Sequence, residues 1–116
     1  PDSAELYMGR ASALLMLGDY AGANKDLSSA IAINPALAEA YYNRGVSNVN
    51  LARFNPAMSD FAQAGKLFSA SGNRAGYMQS SSSGEEALFK AFKAALSRAD
   101  ESSSSGARET CGVFAG

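Results

Sequence analysis

The sequence predicts an all-α chain, a superhelix of two helix-turn-helix hairpins followed by one C-terminal amphipathic helix. Two observations carry this prediction. First, residues recur at an offset of 34: Ala4/Ala38, Glu5/Glu39, Tyr7/Tyr41, Arg10/Arg44, Leu17/Leu51, Ala23/Ala57, Asp26/Asp60 and Ala30/Ala64. Similar side chains follow the same offset at Ala11/Gly45, Tyr20/Phe54, Leu27/Phe61 and Ile33/Leu67. A period near 34 is that of one helical hairpin used twice. Second, residues 85–99 place Leu88, Phe89, Phe92, Ala95, Leu96 and Ala99 on one helical face, with Lys90, Lys93 and Arg98 opposite.

The first helix is expected to start at Asp2 or Ser3, which offer capping oxygens ahead of Glu5. Tyr7, Ala11, Leu14 and Leu15 follow at helical spacing. Gly18 suits the left-handed end of that helix, and Asp19 can cap the second. The second helix carries Ala23, Leu27, Ala30 and Ile31 on one face. Asn34-Pro35 reads as cap plus first helical residue of a long third helix, from about Pro35 to Leu51. Asn55-Pro56 repeats that device at the fourth helix, which is expected to end near Ser71-Gly72. Gly65 stands where the first hairpin has Ile31, and a mid-helix Gly costs about 1 kcal/mol relative to Ala.

The pattern fades after one more period, and Ser/Gly runs take over at 80–84 and 102–106. Such runs read as flexible linkers. The expected organisation is therefore two hairpins over 1–71, a Ser/Gly-rich linker over 72–84, an amphipathic helix over 85–99 and a flexible tail over 100–116. Ser83, Glu85 and Glu86 form the expected cap of that last helix. Leu88, Phe89, Phe92 and Leu96 are expected to dock on an apolar surface. That surface is the end of the second hairpin, the chain's own or a neighbour's groove, or a separate partner.

Composition narrows the function. The chain has 116 residues, 47% hydrophobic and 18% charged, with a formal net charge of −1. No basic excess exists to neutralise phosphates, so nucleic acid is not an expected partner. No apolar run approaches the length of a membrane span. Histidine is absent, which removes Ser-His-Asp and Cys-His pairs and most zinc sites. The single Cys111 cannot form an internal disulfide and suits a reducing compartment. No catalytic residue, cofactor or metal is expected. The recurring Arg10/Asp26 and Arg44/Asp60 pairs predict an ion pair between the two helices of each hairpin.

Two copies of an aromatic, a small residue, a Leu-Gly-Asp-Tyr-like turn, Ala-x-x-x-Leu-x-x-Ala and a closing Asn-Pro resemble tetratricopeptide repeats over about residues 4–70. The second copy departs at Asn48, Ala52 and Ser69, which replace an apolar residue, the turn Gly and the closing Pro. In that family the first helix of each hairpin lines a concave groove. The resemblance implies a groove of Glu5, Met8, Ser12, Leu15 and Met16 from the first repeat. From the second it implies Glu39, Tyr42, Asn43, Val46, Val49 and Asn50. Some members clamp the acidic C-terminus of heat-shock chaperones with Lys, Asn and Arg residues. The matching positions here are Met8, Ser12, Asn43, Asn73 and Tyr77. Only Asn43 agrees, and one Asn without cations does not neutralise a carboxylate.

The implied function is a non-enzymatic adaptor or scaffold. It binds another protein or peptide, an apolar segment, through the groove, within a larger assembly. The competing reading is a fixed structural subunit of a multiprotein complex whose C-terminal helix and tail dock on a neighbour.

Overall fold

The computed structural model describes the backbone of residues 3–115 and the side chains of residues 3–99. Five helices follow one another: α1 (Ala4–Leu17), α2 (Tyr20–Ile33), α3 (Ala38–Asn50), α4 (Phe54–Ala70) and α5 (Arg74–Ala115). No strand occurs among the described residues. Each helix packs chiefly on its sequence neighbours, which is the signature of a hairpin array.

The caps explain the helix ends. Ser3 accepts a hydrogen bond from the Leu6 amide at 3.2 Å and starts α1; the expected Asp2 cap lies outside the described residues. Gly18 closes α1 in the left-handed conformation (φ 80°), and Asp19 caps α2 by accepting from the Gly22 amide at 2.9 Å. The third helix starts at Ala38, not at Pro35. Asn34 is extended, and its side chain accepts from the Ala36 amide at 3.1 Å. The chain thus turns through 34–37 before it becomes helical. The fourth helix starts at Phe54, so Asn55 is not its cap. Pro56 sits inside the first turn, where the missing N–H breaks no bond.

The core has two parts. Ala11, Ala23, Leu27 and Ala40 form the first, flanked by Met8, Leu14, Leu15, Ile31 and Leu37. Ala57, Phe61 and Ala87 form the second, flanked by Tyr42, Val46, Val49 and Met58. The recurring alanines Ala23/Ala57 and Ala30/Ala64 are fully buried between helices. Leu27 and Phe61 occupy equivalent places and supply the bulk. Burial of each contributes about 1.5–3 kcal/mol.

Polar groups inside the array are tied to one another. Arg10 meets Asp26 through Nε and Nη2, each at 2.7 Å. Arg44 meets Asp60 through Nε at 3.0 Å and Nη2 at 2.8 Å. Asn48, which departs from the repeat pattern, has a structural reason. It is buried, donates to Asp60 at 2.9 Å and accepts from Asn24 at 2.8 Å, so it links α2, α3 and α4.

The largest difference from the sequence expectation lies in α5. No linker separates it from the hairpins: the helix begins at Arg74 and runs through the serine stretch. Asn73 caps it, accepting from the Gly76 amide at 2.9 Å. Ser83 is therefore an interior helical residue and not a cap. The helix continues through 100–115, across the expected flexible tail, whose side chains and Gly116 lie outside the described residues.

The face that α5 turns to α4 also differs from expectation. Gly76, Ser80 and Ala87 are buried there, while Leu88, Phe89, Phe92 and Leu96 are 49–65% exposed. Close approach is the reason. A Cβ at Gly76 would lie 2.6 Å from the Phe68 ring, so only glycine fits there without a shift. Small side chains let α5 lie flat on α4, so the bulky stripe points away. The expected docking of those four residues on the second hairpin is corrected accordingly.

Candidate functional site

A cleft of about 230 Å³ opens between α3 and α5, floored by Phe61 of α4. Tyr42, Val46, Val49 and Asn50 form its α3 wall, and Ser83, Glu86, Ala87 and Lys90 its α5 wall. The spacing on α3 places Tyr42, Val46 and Val49 on one side of the helix. Tyr42 and Phe61 meet as tilted rings with centroids 5.4 Å apart, an arrangement that aromatic pairs favour. The Tyr42 hydroxyl and Ser83 Oγ are 3.2 Å apart and join the two walls.

The rim is polar. Asn50 donates back to the Val46 carbonyl at 2.9 Å. Lys90 and Glu86 form an ion pair at 3.5 Å along α5, both well exposed. An exposed pair of this kind contributes little to stability and leaves both groups accessible. The cleft thus offers an apolar floor, an amide and one charge of each sign.

Of the residues that sequence reasoning assigned to the groove, Tyr42, Val46, Val49 and Asn50 line this cleft. The others do not. Met8 and Leu15 pack on the first core. Met16 is 90% exposed, Glu5, Ser12 and Glu39 are exposed, and Asn43 is half-buried. The α5 wall was missed because its serines read as a linker. A usable signal was present: Gly76, Ser80, Gly84, Ala87, Ala91 and Ala94 fall at spacings of three and four.

No group of His, Cys, Asp and Glu among the described residues is placed to hold a metal ion. No described helix is long and apolar enough to cross a membrane. Asp26 is the one described acid with a resolved change in acidity. The hydrogen bonds from Arg10 hold its carboxyl below the usual range. Burial opposes them, and the charges of Arg10 and Lys25 add to them. That change belongs to the hairpin ion pair, away from the cleft.

Comparison with known proteins fits this architecture. Residues 11–51 match the family model described as TPR repeat. Over those residues the chain has tetratricopeptide-repeat sequence. The Protein SGT1 homolog of Oryza sativa subsp. japonica is 37% identical over 57 residues, which cover 49% of this chain and 16% of that protein. The chain therefore spans only a small part of that curated relative. The crystal structure of MamA matches with a TM-score of 0.53 and 24% identity, over 78% of this chain and 61% of that one. At that identity the likeness shows the fold. Tetratricopeptide repeats generally mediate protein–protein interaction.

Proposed function

We propose that this chain is a non-enzymatic adaptor that seats an apolar side chain of a partner peptide or helix in the α3–α5 cleft. The observation that carries this reading is the apolar lining of Tyr42, Val46, Val49 and Phe61 beside the polar groups Asn50, Glu86 and Lys90. Its volume of about 230 Å³ is below the roughly 300–1,000 Å³ usual for small-molecule sites. It suits one anchoring side chain of a longer segment. The rim groups bind the segment's backbone and fix its direction. A single anchor gives modest affinity alone, so the module works within a larger assembly, where linked contacts add.

The test is selection of random peptides displayed on phage against the full chain, repeated with Val46→Arg. The adaptor reading expects peptides that share an apolar anchor and lose binding to Val46→Arg. Peptides that bind both forms equally, or that share only charge, would contradict it.

A further inference from the structure

Asn50 and Lys90 are the last residues of the cleft lining on α3 and on α5. Just beyond them a second groove, of about 410 Å³, opens between the start of α4 and the later part of α5. Arg53, Phe54 and Pro56 line it from one side, and Ala91, Ala95 and Arg98 from the other. The two linings are therefore neighbours along both walls. No acidic residue is among the described lining residues of this groove. Both arginines are exposed. Neither has an ion-pair partner among the described residues, whereas Arg10 and Arg44 are each matched to an aspartate. Arg53 stands where the first hairpin has the acid Asp19, so the repeat exchanges an anion for a cation at this place. The Arg53 amide donates to the Asn48 carbonyl at 2.7 Å, which holds the residue at the end of the turn.

We infer that this groove receives acidic side chains of the same partner segment whose apolar side chain sits in the cleft. The inference rests on the adaptor reading and adds the partner's charge to it. Charge complementarity selects the occupant. Two arginines facing one groove with no acid beside them suit Asp or Glu, because a guanidinium binds a carboxylate through two parallel hydrogen bonds. Two cations on a chain of net charge −1 do not supply the basic surface that a phosphate backbone requires. Continuity fixes the spacing. The α5 wall of the cleft centres near Ala87 and that of the groove near Ala95. That separation is about 12 Å along a helix, the span of about four residues of extended peptide. The partner segment therefore carries its acids about four residues from its apolar anchor. None of Met8, Ser12, Asn43, Asn73 and Tyr77, the positions that match the chaperone clamp, lines this groove.

The test takes peptides selected from a random phage library on the full chain, remade with a fluorescent label, and measures their affinity by anisotropy. The inference expects Asp or Glu about four residues from the apolar anchor. An Arg53→Ala/Arg98→Ala double variant with an unchanged circular dichroism spectrum is expected to bind them about tenfold more weakly. Amidating the peptide acids, Asp to Asn and Glu to Gln, is expected to cost the same on the parent chain and nothing further on the double variant. Binding to the parent is expected to weaken as salt rises. Peptides that lose binding to Val46→Arg but carry no acids, or that bind the double variant as well as the parent, overturn the inference and leave the cleft reading standing. Acidic peptides that need both arginines but ignore Val46→Arg overturn the cleft reading and the shared segment with it. A selection that yields no binding peptide overturns both.

Discussion

Arg44 on α3 grips Asp60 on α4 through two hydrogen bonds, from Nε at 3.0 Å and from Nη2 at 2.8 Å. Its counterpart one repeat earlier, Arg10 with Asp26, has the same geometry but a wetter setting. The arginine side chain is 65% exposed at Arg10 and 25% at Arg44. Asp60 also accepts from buried Asn48, which Asp26 has no equivalent of. Asp60→Ala therefore strands more buried donors than Asp26→Ala does. We expect Asp60→Ala to cost about 3 kcal/mol, in the range for breaking a buried pair, and Asp26→Ala clearly less. Urea unfolding of the two variants measures the difference. Equal losses would show that the Asn48 link carries no weight.

Asp26 also predicts an acid response. Its carboxyl is more acidic in the folded chain than in the unfolded one. The stability it contributes is therefore fully present above the unfolded pKa and is lost as pH falls through the lower, folded one. Asp26→Asn is expected to be less stable than the parent at pH 7, with the gap narrowing below about pH 4. Thermal midpoints from pH 7 to pH 2 check this. A gap that is constant across the range would contradict it.

Two helical glycines predict opposite outcomes for the same substitution. A Cβ at Gly45 would lie 2.7 Å from the Phe61 ring, whereas one at Gly65 would meet Ser80 at 3.6 Å, an ordinary contact. Gly45→Ala is expected to lose about 1–3 kcal/mol through overpacking. Gly65→Ala is expected to gain about 0.5–1 kcal/mol from helix propensity alone. Denaturant midpoints of the two variants give the signs directly.

The turn between α3 and α4 holds strain that the earlier turn avoids. Ala52 has φ 59°, in the left-handed region, where the first hairpin uses Gly18. A side chain there costs roughly 1–2 kcal/mol. Ala52→Gly is expected to recover about 1 kcal/mol, less the greater freedom of the unfolded chain. An unchanged thermal midpoint would mean that the turn relaxes without cost.

Helices α1 to α4 were legible because the core and ion-pair residues of the repeat recur at one offset. Tyr7/Tyr41 or Asp26/Asp60 alone would say little, but their common offset fixes both hairpins and the ion pairs between their helices. Asn48 was not legible. Its partners, Asn24 and Asp60, come from two other helices, and only packing brings the three together. The α5 wall of the cleft was misread for a different reason. Serine and glycine favour loops by intrinsic propensity, but here Gly76 leaves room for Phe68, and Gly84 lies beside Phe61. The bulky residues that looked like a docking face, Leu88 to Leu96, were then displaced outward by that close packing.

The serine stretch 80–84 is helix, with Ser80 buried against α4 and Ser83 in the α5 wall of the proposed cleft, and not a linker. Residue-resolved amide hydrogen exchange on the full chain tests it most directly. Amides of residues 80–84 are expected to exchange slowly, with protection comparable to α4, because they are hydrogen-bonded within a helix that packs on α4. Exchange of those amides at the rate of an unstructured Ser/Gly chain, beside a protected α4, would contradict it.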